Sequence, residues 1–225
     1  MRKTLFAGLF VALCTPLAPT LAAETLDGQQ TYDMLFRQGT LDDVTNDQSL
    51  TYTRAVSNAL KPEAAERDTG TIVLSFEQQQ ALMALLEFRQ DDKHRGLGKF
   101  PASVGNPMIM YFYEAIVRDM AEAAGGSPFY IRNRVKDALI QPSEAIEGEA
   151  MVGGETVPTQ TIHLHPFKND PNADRMQGFD DLELTVTMSD KVPGWYLRLV
   201  ADVPGEGDTP VYHSEIDFQS IGAVK

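Results

Sequence analysis

The sequence predicts an α+β fold: a largely antiparallel, curved β-sheet with an antiparallel helical hairpin packed on one face. Two observations predict it. Stretches with strand-like alternation occupy both ends of the chain, and two proline-started helical segments lie between them. No repeat, low-complexity tract or long Gly/Ser linker divides residues 24–225, which read as a single α+β domain.

The first 23 residues read as a secretory signal peptide. Arg2 and Lys3 supply the positive start, Leu5 to Leu13 is an uncharged apolar run, and Leu21-Ala22-Ala23 offers small residues for cleavage. The apolar run is well short of the roughly 20 residues that a spanning helix needs. Cys14 does not suit lipid attachment, because Leu13 stands where a small residue is required and the cysteine lies inside the apolar stretch. Cleavage near Ala23 places the mature chain in the periplasm with no stable membrane anchor. It removes the only cysteine, lowers the basic count from 19 to 17 against 32 acidic residues, and takes the formal charge from −13 to −15. A chain without cysteine cannot be stapled by disulfides and relies on its core. The charge excludes nucleic acid as a partner, since that surface demands a cationic footprint.

After the leader, residues 49–57 alternate Leu50, Tyr52 and Val56 against Thr51, Thr53 and Ser57, with Arg54 the exception on the apolar side. Residues 58–70 read as a charged connection and 71–76 as a β-rich strand. Residues 77–90 carry helix-favouring Gln, Ala, Leu and Met. The turn signal Asp91-Asp92-Lys93 behind them favours a strand. Lys93, His94, Arg95 and Lys99 form a basic stretch in a glycine-containing loop.

The middle is the clearest part. Asn106 caps and Pro107 starts a helix that runs to about Ala124 and stops at Gly125-Gly126. Ser127-Pro128 starts a second one that reaches about Ile140, before Pro142. So short a connection makes an antiparallel hairpin. Strands return at 161–165, 182–189, 195–203 and 211–218, the middle two joined by the turn at 190–194.

No G-x-S-x-G, H-E-x-x-H, Walker or dinucleotide motif is present, so no catalytic residue, cofactor or metal ligand is assigned. His163-x-His165 and His213-x-Glu215 have ligand-like strand spacing, but alternation turns them to the polar face. Arg132, Arg134 and Lys136 on the second helix, and the basic stretch at 93–99, are candidate anion contacts. The first helix is apolar all round over its opening turns. Met108, Met110, Tyr111 and Phe112 are therefore the candidate ligand-pocket residues.

Gly105-Asn106-Pro107-Met108-Ile109-Met110-Tyr111-Phe112-Tyr113-Glu114 and Gly125-Gly126-Ser127-Pro128-Phe129-Tyr130-Ile131-Arg132-Asn133-Arg134 resemble an uncharacterised family of exported bacterial proteins. The resemblance is limited to the hairpin segment and implies a periplasmic setting without an activity. The predicted architecture is also loosely similar to that of periplasmic lipoprotein carriers, which enclose an apolar cavity between sheet and helices. The expectation is a non-enzymatic periplasmic binding or carrier protein for a hydrophobic small molecule. Two alternatives stand beside it: a metal-assisted enzyme using the surface histidines, and an assembly subunit that binds a protein partner through the hairpin.

Overall fold

The computed structural model describes residues 23–205, 207 and 209–223; the leader's apolar run lies outside them. The strands form one ten-stranded sheet in which every neighbouring pair is antiparallel. In chain order the elements are β1 (Ala23–Leu26), α1 (Gly28–Leu35), β2 (Gln48–Asn58), α2 (Pro62–Asp68), β3 (Gly70–Gln78), β4 (Leu82–Gln90) and β5 (Lys93–Pro101). Then follow α3 (Met108–Ala123), α4 (Pro128–Leu139), β6 (Ser143–Val152), β7 (Glu155–Leu164), β8 (Glu183–Met188), β9 (Tyr196–Val203) and β10 (Tyr212–Ala223).

Across the sheet the order is β1-β6-β7-β8-β9-β10-β2-β3-β4-β5. The last strand is therefore internal. β10 pairs with β9 on one side and along nearly all of β2 on the other, with one bulge between Phe218 and Ser220. It joins the strands before the helical hairpin to those after it.

Local chemistry explains the elements. The Asn106 Oδ1 accepts the Met108 amide at 3.0 Å, and Tyr111 N bonds Pro107 O at 3.1 Å, so α3 starts where the Asn-Pro pair predicts. Gly125 and Gly126 end the hairpin's first arm at φ of 78° and 92°, which costs a glycine little. Residues 77–90 resolve as the end of β3 and the whole of β4, and Asp91 at φ 51° makes the turn into β5. Several stretches differ from the expectation: β1, β6 and the first part of β7, before residue 161, were not expected as strands. The charged connection at 58–70 contains α2, started by Pro62 with Glu63 in its first turn. The basic loop at 93–99 is the edge strand β5. Ahead of β2, α1 is held by a capping box between Asp27 and Gln30.

The core lies between the sheet and the helices. Leu50, Tyr52, Ile72, Leu74, Leu86, Leu184, Val186 and Leu199 meet Met108, Ile109, Phe112, Ile116 and Met120 from α3. The opposite sheet face is polar and carries no helix among the described residues.

Candidate functional site

The four pocket residues separate. Met108 and Phe112 are core side chains, filling the space where a cavity between sheet and hairpin would lie. Tyr111 is buried too, and its hydroxyl accepts a hydrogen bond from Arg54 Nη1 at 2.9 Å. Met110 points the other way and is 47% exposed.

Arg54, the one charge on the apolar face of β2, is explained by α3. Its Nη2 lies 2.7 Å from Asp119 Oδ2, and Tyr212 donates to the same oxygen at 2.9 Å. Burial works against the Arg54 charge, yet Tyr111, Asp119 and Tyr212 outweigh it and push its pKa up. Arg54 Nε has no hydrogen-bond partner among the described residues. The network reaches the surface through Arg118, which bridges Asp119 Oδ1 at 2.8 Å and Asp68 Oδ2 at 3.3 Å; Arg67 and Arg95 also face Asp68. Burial disfavours the Asp68 carboxylate, but hydrogen bonding by Arg67 and the charge of Arg118 hold its pKa below the usual range. The arrangement pins α3 to the sheet centre and is shut off from solvent at Arg54.

An aromatic run links the end of α1 to α3. Tyr32 on α1 stacks on Phe36 at a centroid distance of 4.7 Å, and Phe36 lies 6.1 Å from Tyr113 of α3. Met110 precedes Tyr113 by three residues, so the two share a helix face. Tyr32 is 41% exposed. The Tyr113 hydroxyl is buried without a partner among the described residues, and burial pushes its pKa up. An unsatisfied buried hydroxyl costs roughly 1–3 kcal/mol, which a ligand oxygen placed there would recover.

The histidines do not converge. His163 on β7 is bonded to Glu183, and His213 on β10 to Asp202 at 2.8 Å. His163 faces Thr185, Thr185 faces Val200, and Val200 faces Glu215. Two strands thus separate His163 from His213, a gap of about 14 Å at ordinary strand spacing. His165 lies beyond the end of β7. Of the basic residues on α4, Arg132 is spent on Glu114 at 2.7 Å. Arg134 Nε sits 2.9 Å from Asp170 Oδ2, at ion-pair distance without hydrogen-bond alignment.

One feature of the polar face was not readable in the sequence. Glu215 and Asp217 lie two apart on β10, beside Arg198, at the margin of a cleft of about 670 Å³ that Asp217, His163, Thr161 and Gln219 help to line. Burial and the neighbouring Glu215 push the Asp217 carboxyl up to about 7, while the hydrogen bond from Asp217, with help from Arg198, holds Glu215 low. Their spacing is the only sequence signal, and turn-like Asp pairs elsewhere in the chain mask it.

No protein-family model matches the chain, and no curated relative matches it. Among solved structures it is similar to the lipoprotein LppX of Mycobacterium tuberculosis, at 9% identity and a TM-score of 0.35, over 84% of this chain and 93% of that one. No helix among the described residues is long and apolar enough to cross a membrane.

Proposed function

We propose that residues 24–225 form an exported, periplasmic, non-enzymatic binding or carrier protein, taking a lipid-like apolar molecule at the seam between α1 and α3. One observation carries the reading: the Tyr32–Phe36–Tyr113 aromatic run, with Tyr32 and Met110 exposed and the Tyr113 hydroxyl buried without a partner among the described residues. Apolar side chains grouped at a surface mark interaction sites, and methionine adapts to varied shapes. An oxygen-bearing apolar ligand entering there covers the aromatic run and accepts a hydrogen bond from the Tyr113 hydroxyl. The charged start, apolar run and Ala22-Ala23 of the leader support the exported setting.

The test uses the processed chain and the neutral probe N-phenyl-1-naphthylamine, whose fluorescence rises in apolar surroundings. Wild type is expected to bind it, and Met110→Asp to lose binding with an unchanged melting temperature. A wild type that leaves the probe dark, and that carries no co-purified small molecule in native mass spectrometry, overturns the reading. The same spectra give the N-terminus, expected within a few residues of Glu24.

A second reading has one observation in its favour. Glu215 and Asp217, held in different protonation states beside a cleft, form the kind of pair that serves general acid–base chemistry. Hydrolysis of a small-molecule ester panel that is lost in Asp217→Asn, while the fold is kept, would favour it over the carrier.

A further inference from the structure

A ligand oxygen reaches the Tyr113 hydroxyl only if a neighbour moves, because Tyr113 is only 6% exposed. The neighbour held most lightly is the end of α1. The start of this helix is fixed. Gly28 packs against the Ile140 carbonyl with no room for a side chain, and the Thr31 and Ser143 hydroxyls are 2.9 Å apart. Apart from the packing of Leu35, the end is fastened by side chains at the start of β9. The Met34 carbonyl accepts the Trp195 indole N–H at 3.2 Å, and the Leu35 carbonyl accepts the Tyr196 hydroxyl at 2.7 Å. A helix end leaves such carbonyls without backbone donors. Arg37 completes the fastening, stacked at 4.4 Å over the Trp195 ring and paired with the exposed Asp190 at 2.6 Å.

The other half of this fastening is rigid. Trp195 has a φ of 77°, rare for a bulky residue, and Tyr196 N bonds Gly194 O at 2.9 Å to close a three-residue turn around it. Asn106 holds that turn from inside. Its Nδ2 donates to Gly194 O at 2.8 Å and to the Tyr52 hydroxyl at 2.9 Å, and Gly194 lies so near Leu50 that no side chain fits. A strained turn persists only where its surroundings over-determine it, so Trp195 and Tyr196 act as a fixed post. Release falls to the α1 side.

We infer, resting on the ligand reading of this seam, that α1 is its lid. The C-terminal end swings off Trp195 and Tyr196 about the fixed Gly28 end, admits the ligand and refastens behind it. Phe36, which caps α1 and lies 6.1 Å from Tyr113, travels with the moving end. Gly39, at φ 72°, is the joint beyond it. Water replaces the two carbonyl contacts in the open state, so the main cost of opening is exposing Leu35 and Phe36.

Two measurements on the processed chain test the lid and its ligand separately. Amide exchange without ligand reads opening, because eight residues do not hold a helix once released. The Phe36 amide, bonded to Tyr32 O at 2.8 Å, is expected to exchange far faster than the β2–β10 ladder. Tyr196→Phe should speed it about fivefold, the effect of one lost hydrogen bond. Asp190→Asn, which removes only the exposed charge facing Arg37, should speed it about twofold. Stopped-flow binding of N-phenyl-1-naphthylamine reads passage: in Tyr196→Phe, association and dissociation should both quicken, as they do when a gate is loosened. A Phe36 amide that exchanges only with the ladder, or that neither variant alters, overturns the lid. So do probe rates that fail to rise together. A probe that stays dark with wild type removes the ligand reading instead, and amide exchange still decides whether α1 opens.

Discussion

Arg54 of β2 and Asp119 of α3 form an ion pair at 2.7 Å, with side chains 0% and 6% exposed, in the middle of an otherwise apolar layer. Neither residue touches solvent enough to bind anything. Each is the other's means of staying charged. Removing one partner leaves a buried charge uncompensated, at a cost of about 3–5 kcal/mol. Asp119→Ala and Arg54→Ala should therefore each lower the denaturation midpoint sharply. Arg54→Met combined with Asp119→Leu should recover most of the loss, because a shape-filling apolar pair avoids the desolvation. Urea titrations followed by the fluorescence of Trp195, the single tryptophan, measure all of these.

Met110 and Phe112 are two residues apart and have opposite fates. Phe112→Ala opens a cavity in the core and should cost about 3–5 kcal/mol. Met110→Asp places a carboxylate on an exposed position and should change stability by no more than about 0.5 kcal/mol. A Met110→Asp variant as unstable as Phe112→Ala would put Met110 in the core and remove it from any surface site.

Asp217 gives a pH signature whose sign is fixed. Its folded pKa, about 7, is above the ordinary 3.8, so the folded protein holds a proton that the unfolded chain releases earlier. Its contribution is fully present below about pH 4 and is lost as the pH rises towards 7. Asp217→Asn removes that titration. Thermal melts between pH 4 and 8 should show wild type losing stability relative to the variant as the pH rises. Parallel curves would mean that Asp217 ionises normally.

Where a residue's surroundings are local, the sequence announced them. Asn106-Pro107, Gly125-Gly126 and Ser127-Pro128 marked the hairpin because caps and breakers act within a turn. Arg54 stood out because period two is strict in a strand with one buried face. β5 was read as a loop because an edge strand wet on both faces has no reason to alternate, and Lys-His-Arg-Gly is poor in β-formers. α2 was hidden in a charged run, although Pro62 followed by Glu63 is a start signal. α1 announced itself only through Asp27 and Gln30, a capping box easily passed over. The candidate site was half legible. An opening turn apolar all round says that something unusual happens there, but not which methionine faces out. The stack that reaches Tyr113 depends on Phe36, more than seventy residues earlier in the chain. The same limit hid the Glu215–Asp217 pair, whose behaviour depends on Arg198 from the neighbouring strand.

The internal position of β10 sets the order in which this molecule can mature. Its ladder partners, β9 and β2, come from opposite halves of the chain, and β2 is separated from it by more than 150 residues. Pairings that close so large a loop form late and slowly. Until the C-terminal strand is present, the sheet exists as two fragments, each with an extra raw edge where the final strand belongs. A chain made N-terminus first thus cannot lock prematurely, because its keystone arrives last. The interval before that arrival is when the unfinished halves are most exposed to aggregation and to folding helpers.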